Sequence, residues 1–187
     1  MTPWFDIYKE RMNSKYLEHV TSKYAPFIEA LYGVKGRKFT EIGCGAGNIT
    51  RILREMHAND HLDYHMIDSC PQMLGLAIEN NSEDNCTFSC TDIINVKRVL
   101  APTDLVHSHG LLEHFEDLGI HHIVRNMLKA APTQIHYVPG ARYIQPSRGD
   151  ERLMEPKQWE RILRGVARNV KVSTFNDGYD IMIRIDR

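Results

Sequence analysis

From Lys38 onward the chain alternates short apolar runs with stretches whose apolar residues recur at helical spacing. Such alternation belongs to a parallel sheet covered by helices on both of its faces. Six or seven strands can be placed, at 38–42, 62–67, 86–90, 104–108, 134–138, 170–175 and 180–185. Helices are predicted over 48–56, 71–80, 119–130 and 156–167. Pro71 and Pro156 open two of them, at the position where the missing N–H of proline costs nothing.

The final pair of strands is joined only by Asn176-Asp177-Gly178, which is a β-hairpin connection. A right-handed crossover needs a far longer link, so the last strand must run antiparallel to its neighbour. The expected fold is therefore α/β: a doubly wound, seven-stranded, mostly parallel sheet with an antiparallel C-terminal hairpin strand. Ahead of the first strand, Trp4, Phe5, Tyr8, Tyr16 and Tyr24 mark one or two amphipathic helices. Residues 1–35 are read as a helical cap on a core of residues 36–187, in a single domain.

Composition agrees with one domain and narrows the choice of partner. The 187 residues are 42% hydrophobic and 25% charged, enough to bury a sizeable core. A net charge of -1 supplies no global field for a polyanion, so nucleic acid is not an expected partner. No run reaches the ~18 apolar residues of a membrane span, and Met1-Thr2-Pro3-Trp4 lacks the basic start of a leader; a cytoplasmic protein, monomeric or homodimeric, is expected. Cys44, Cys70, Cys86 and Cys90 match neither a zinc pair nor a disulfide framework. They read as reduced, with Cys86 and Cys90 packing as small apolar groups on one face of a strand. His61, His65, His121 and His122 lack a ligand set in a recognised spacing, so no metal is expected.

The candidate chemistry begins where the first strand ends, in Glu41-Ile42-Gly43-Cys44-Gly45-Ala46-Gly47 followed by a helical pattern. This puts a side-chain-poor turn at the carboxyl end of a strand, where open α/β sheets bind ligands. A dinucleotide fingerprint spaces its third glycine one residue later. Glu41 would also set a negative charge near a pyrophosphate, whereas it suits the ammonium and sulfonium of S-adenosylmethionine. Asp68 ends the second strand about 20 residues beyond the loop, where a carboxylate can accept ribose hydroxyls. Asp92 follows the third strand and can accept from an adenine amine, with Ile93 packing on the ring. Either aspartate taken singly could be a helix cap.

Phe39-Thr40-Glu41-Ile42-Gly43-Cys44-Gly45-Ala46-Gly47, then Asp68, then Thr91-Asp92, then Asp104-Leu105-Val106-His107-Ser108-His109-Gly110-Leu111-Leu112-Glu113-His114-Phe115 resembles the motif series of class I, Rossmann-like, S-adenosylmethionine-dependent methyltransferases of the small-molecule type. The resemblance spans about residues 36–140. It implies S-adenosylmethionine as cofactor, lying across the carboxyl ends of the strands. Glu41 and Gly43 would flank the methionine moiety, Cys44, Gly45 and Gly47 would shape the loop, Asp68 with Ser69 would hold the ribose, and Asp92 with Ile93 the adenine. Ser108 and His109 would line the methionine and substrate side. Thr40 departs from the aliphatic residue more usual there.

Methyl transfer is a displacement at an already activated carbon, so a base is needed only for a protonated acceptor. His109 and His114 are the candidate catalytic residues, imidazole being suited to taking a proton near neutrality. The chain lacks the Asn/Asp-Pro-Pro-aromatic motif of nucleic-acid amino methyltransferases. Trp4, Tyr8, Arg11, Arg142, Tyr143 and Arg148 are candidate acceptor contacts, with Arg152 nearby, and the arginines would suit a carboxylate-bearing acceptor. The expected activity is transfer to an oxygen or nitrogen of a small molecule. Methylation of RNA or protein, and a non-catalytic S-adenosylmethionine-binding partner protein, remain the alternatives.

Overall fold

The computed structural model describes Phe5, residues 13–143 and residues 150–187. Strands that must be buried on both faces need apolar or internally paired residues throughout, and β5 (Thr133–Pro139), buried from Gln134 onward, is the clearest case. It joins β1 (Lys38–Ile42), β2 (Asp63–Asp68), β3 (Cys86–Cys90), β4 (Leu105–His109), β6 (Asn169–Phe175) and β7 (Asp180–Asp186) in one sheet of order β3-β2-β1-β4-β5-β7-β6. The first five strands pair in parallel, and β7 lies antiparallel to both β5 and β6. The order reverses between β1 and β4, which opens a crevice over their carboxyl ends.

Helices α1 (Ser14–Lys23), α2 (Ala25–Tyr32), α3 (Asn48–Met56) and α4 (Pro71–Asn80) cover one face. There Phe27, Leu31, Ile52 and Leu53 pack on Phe39, Tyr64, Leu105 and Tyr137. Helices α5 (Asp117–Ala130) and α6 (Pro156–Leu163) cover the other, with Ile123, Met127, Trp159 and Leu163 against Ile67, Val106, Val138 and Ile183. Each such side chain contributes about 1.5–3 kcal/mol by leaving water. Among the described residues of the cap, α1 and α2 are separated at Tyr24, where the backbone leaves helical geometry before Pro26 opens α2. No helix of the described residues is long and apolar enough to cross a membrane.

Beyond one-residue shifts at the ends of β2, β4, β5, β6 and β7, three details depart from the sequence pattern. Helix α5 begins at Asp117, two residues before the expected 119, because Glu116 has the extended backbone of an N-cap and Gly119 is tolerated inside the first turns. Helix α6 ends at Leu163 rather than 167, since the chain must turn at Arg164–Gly165 to reach β6. Cys90 is exposed and Cys86 only half-buried, because β3 is an edge strand and its outer positions are not covered; only Cys86 packs with the core.

Candidate active site

One carboxylate ties the glycine loop to the turn after β2. Asp68, at the end of β2, accepts the Gly45 N–H through Oδ2 and the Cys70 N–H through Oδ1, each at 2.8 Å. Burial raises its pKa, opposed by these same N–H bonds. Two glycines answer to distinct neighbours. Gly43 has φ +65°, and a Cβ there would lie 2.8 Å from the side chain of Leu111. Gly47 has φ +71° as the N-cap of α3, and a Cβ would meet Asn81 Nδ2 at 2.6 Å. Gly47 therefore serves the packing of α3 on α4 and lies off the cavity wall.

A cavity of about 300 Å³ opens over this loop. Its walls include Glu41, Gly43, Cys44, Gly45, Asp68, Ser69, Asp92 and Ile93 among the residues expected there. Glu41 is 2% exposed. Its Oε2 accepts from the backbone N–H and the hydroxyl of Thr50, while Oε1 is not engaged by the described residues. Burial pushes its carboxyl up to about 7, in spite of the two Thr50 bonds that oppose the shift. Asp92 Oδ1 accepts the Ile94 N–H at 2.9 Å, so the capping role is real, and Asp92 also lines the cavity.

Across β1 the wall passes to the end of β4, with His109, Gly110, Leu111, His114 and Phe115, and to α1, with Tyr16 and Val20. The His109 ring stacks on Tyr137 at 4.4 Å and meets Tyr24 edge-on at 4.3 Å. Its Nε2 is buried with no hydrogen-bond partner among the described residues. Burial, reinforced by the Lys23 charge, lowers its pKa to about 3, so the ring is neutral and weakly basic. His114 sits differently: its Nδ1 lies 2.7 Å from Asp150 Oδ1. The segment carrying Asp150 is further pinned where Arg152 donates to the Phe115 carbonyl at 2.6 Å and to Asp117 at 2.7 Å.

Ser108 does not reach the cavity. It is fully buried on the opposite face of the sheet, with Oγ 2.9 Å from His136 Nδ1, because successive strand residues point to opposite faces. Arg142 donates to the Asp177 carbonyl at 3.3 Å, and the Tyr143 hydroxyl accepts from Lys23 Nζ at 3.5 Å; neither is on the cavity wall. Arg152 is likewise committed to the loop after β4. Trp4, Tyr8, Arg11 and Arg148 lie outside the described residues. The pattern did not single out Val20, Leu111, Phe115, Thr50 or Asp150. Leu111 and Phe115 stood in the motif itself, whereas Asp150 reaches His114 from 36 residues away with no local signal.

Residues 39–132, half of the chain, match a family model described as a methyltransferase domain. No curated protein matches the chain. Solved structures do resemble it. An O-methyltransferase family protein from Burkholderia thailandensis is 12% identical with a TM-score of 0.69, covering 92% of this chain and 58% of that one. Human N-acetylserotonin methyltransferase in complex with S-adenosylmethionine is 12% identical with a TM-score of 0.69, covering 97% and 57%. An S-adenosylmethionine-dependent methyltransferase from Clostridium acetobutylicum is 12% identical with a TM-score of 0.69, covering 88% and 91%. The chain spans under three fifths of the first two structures, and at such identity the likeness is one of fold. Sheet order, glycine loop and the matched segment agree, and the chain belongs to the methyltransferase-domain family.

Proposed function

We propose that this protein moves a methyl group from S-adenosylmethionine to an oxygen or nitrogen of a small-molecule acceptor. One observation carries the reading: the described cavity wall holds the carboxylates of Glu41, Asp68 and Asp92 and no lysine or arginine. That donor set fits a cationic ligand bearing hydroxyls and an amine, and it repels a pyrophosphate. Glu41 Oε1 would take the cofactor's ammonium, Asp68 with Ser69 the ribose, and Asp92 with Ile93 the adenine. Cys44 and the Gly43 and Gly45 backbone would pass beneath the methionine portion.

Bound there, the cofactor supplies a methyl carbon activated by its sulfonium. The protein's own part is to align the acceptor, exclude water and remove a proton. His114, oriented by Asp150, is the group we assign to the proton. His109, neutral and enclosed by Tyr24 and Tyr137, shapes the wall instead. Calorimetric titration separates the cofactors: S-adenosylmethionine should bind and NAD should not. Tighter binding of NAD, or binding of neither, would sink the proposal.

A further inference from the structure

We infer that the acceptor is a neutral, apolar or aromatic molecule presenting a hydroxyl, an inference that rests on the methyl-transfer reading above. Because β2 and β3 lie on one side of β1 and β4 on the other, the nucleoside end of the cofactor falls to Asp68 and Asp92. The acceptor then has the compartment over the end of β4. Its walls are Val20, Leu111 and Phe115, with Tyr16, the neutral His109 and the imidazole of His114. Val20 is 4% exposed, and Leu111 and Phe115 pack against the core beneath.

The charges decide between acceptor classes. A carboxylate acceptor needs a cation to offset its lost hydration, and no lysine or arginine is on the described wall. Arg142 and Arg152, the described arginines expected to greet it, are engaged with Asp177 and with Phe115 and Asp117. A carboxylate also carries no proton to remove, which leaves the His114–Asp150 pair without a task. An ammonium would meet the like charge of the sulfonium. A hydroxyl on an uncharged body uses both the apolar walls and the imidazole. As the O–C bond forms and the C–S bond breaks, the electron pair passes to sulfur, leaving a neutral thioether. The hydroxyl proton passes to His114.

The test compares three ligands that share one ring system, 2-naphthol, 2-naphthoate and 2-naphthylmethylamine, titrated at neutral pH into protein loaded with S-adenosylhomocysteine. The naphthol should bind about tenfold or more tighter than either charged ligand, and only it should take up labelled methyl when S-adenosylmethionine replaces the product. Val20→Lys, and independently Tyr16→Lys, should weaken naphthol and tighten naphthoate, with S-adenosylhomocysteine affinity reporting that each variant is folded. Equal or tighter binding of naphthoate or the amine by the unmodified protein, or failure of all three to bind, overturns the acceptor class. Failure of S-adenosylhomocysteine itself to bind overturns the methyl-transfer reading beneath it.

Discussion

His114 Nδ1 and Asp150 Oδ1 lie 2.7 Å apart, tying the turn after β4 to the segment that follows β5. The bond to His114 holds the Asp150 carboxyl below its usual range, as expected of an anion that orients an imidazole. Replacing His114 with alanine should lower turnover by about 10²- to 10⁴-fold, and Asp150→Asn by a smaller factor. Cofactor affinity should not move in either. An unchanged turnover in His114→Ala would retire its assigned role.

If Glu41 takes the cofactor's ammonium as proposed, cofactor binding should depend on pH. With its carboxyl pushed up to about 7 by burial, the empty protein is largely protonated there below neutrality. A cationic ligand favours the ionised form, so binding below pH 7 must expel a proton. Affinity should therefore weaken by up to about tenfold per pH unit on the acid side and level off above it. Dissociation constants measured across this range test it, and Glu41→Gln should flatten the curve. A flat curve in the unmodified protein contradicts the account.

Stability should be greatest near pH 6.5. Burial lowers His107, His109 and His136 from 6.5 to about 3, and neither ring nitrogen of His107 has a hydrogen-bond partner among the described residues. Between those values the unfolded chain binds more protons, so their contribution is complete above pH 6.5 and is lost as pH falls toward 3. Glu41 and Glu113 run the other way, raised by burial from 4.5 to about 7 and about 8. Their contribution is complete below pH 4.5 and is lost as pH rises through those values. Three histidines outweigh two carboxyls below pH 6.5, and above it only the carboxyls act. Melting temperatures that rise or fall steadily from pH 4 to 9 would be incompatible with this balance.

Ser108→Ala should leave cofactor affinity unchanged while lowering stability by about 1–3 kcal/mol, because His136 loses a buried partner. Urea unfolding and calorimetry together measure both quantities. A large loss of cofactor affinity at unchanged stability would return Ser108 to the cavity.

What could be read in advance was whatever local spacing encodes. Gly43 to Gly47, Asp68 and Asp92 sit at strand ends marked by apolar runs, and all but Gly47 of the residues named from that spacing reach the cavity wall. Assigning both Ser108 and His109 to the site ran against the two-residue period of a strand, which allows only one of them to face it. The loop clamp by Asp68, the pairing of His114 with Asp150 and the loss of Arg142 to Asp177 arise from tertiary contacts between distant segments. No periodicity records them. The exposure of Cys90 escapes the pattern for a similar reason: being at the rim of the sheet is a property of strand order.

Strand β7 occupies an interior place, between β5 and β6, though it is the latest of the seven in the chain. Until it arrives, β6 has no partner and one side of β5 stays open, so this half of the sheet must close last during synthesis, after β1 to β4 and their crevice have had the chance to form. Cleavage just before Asp180 would thus strand β6 and bare the edge of β5 to other molecules, turning a small loss of chain into a route to aggregation.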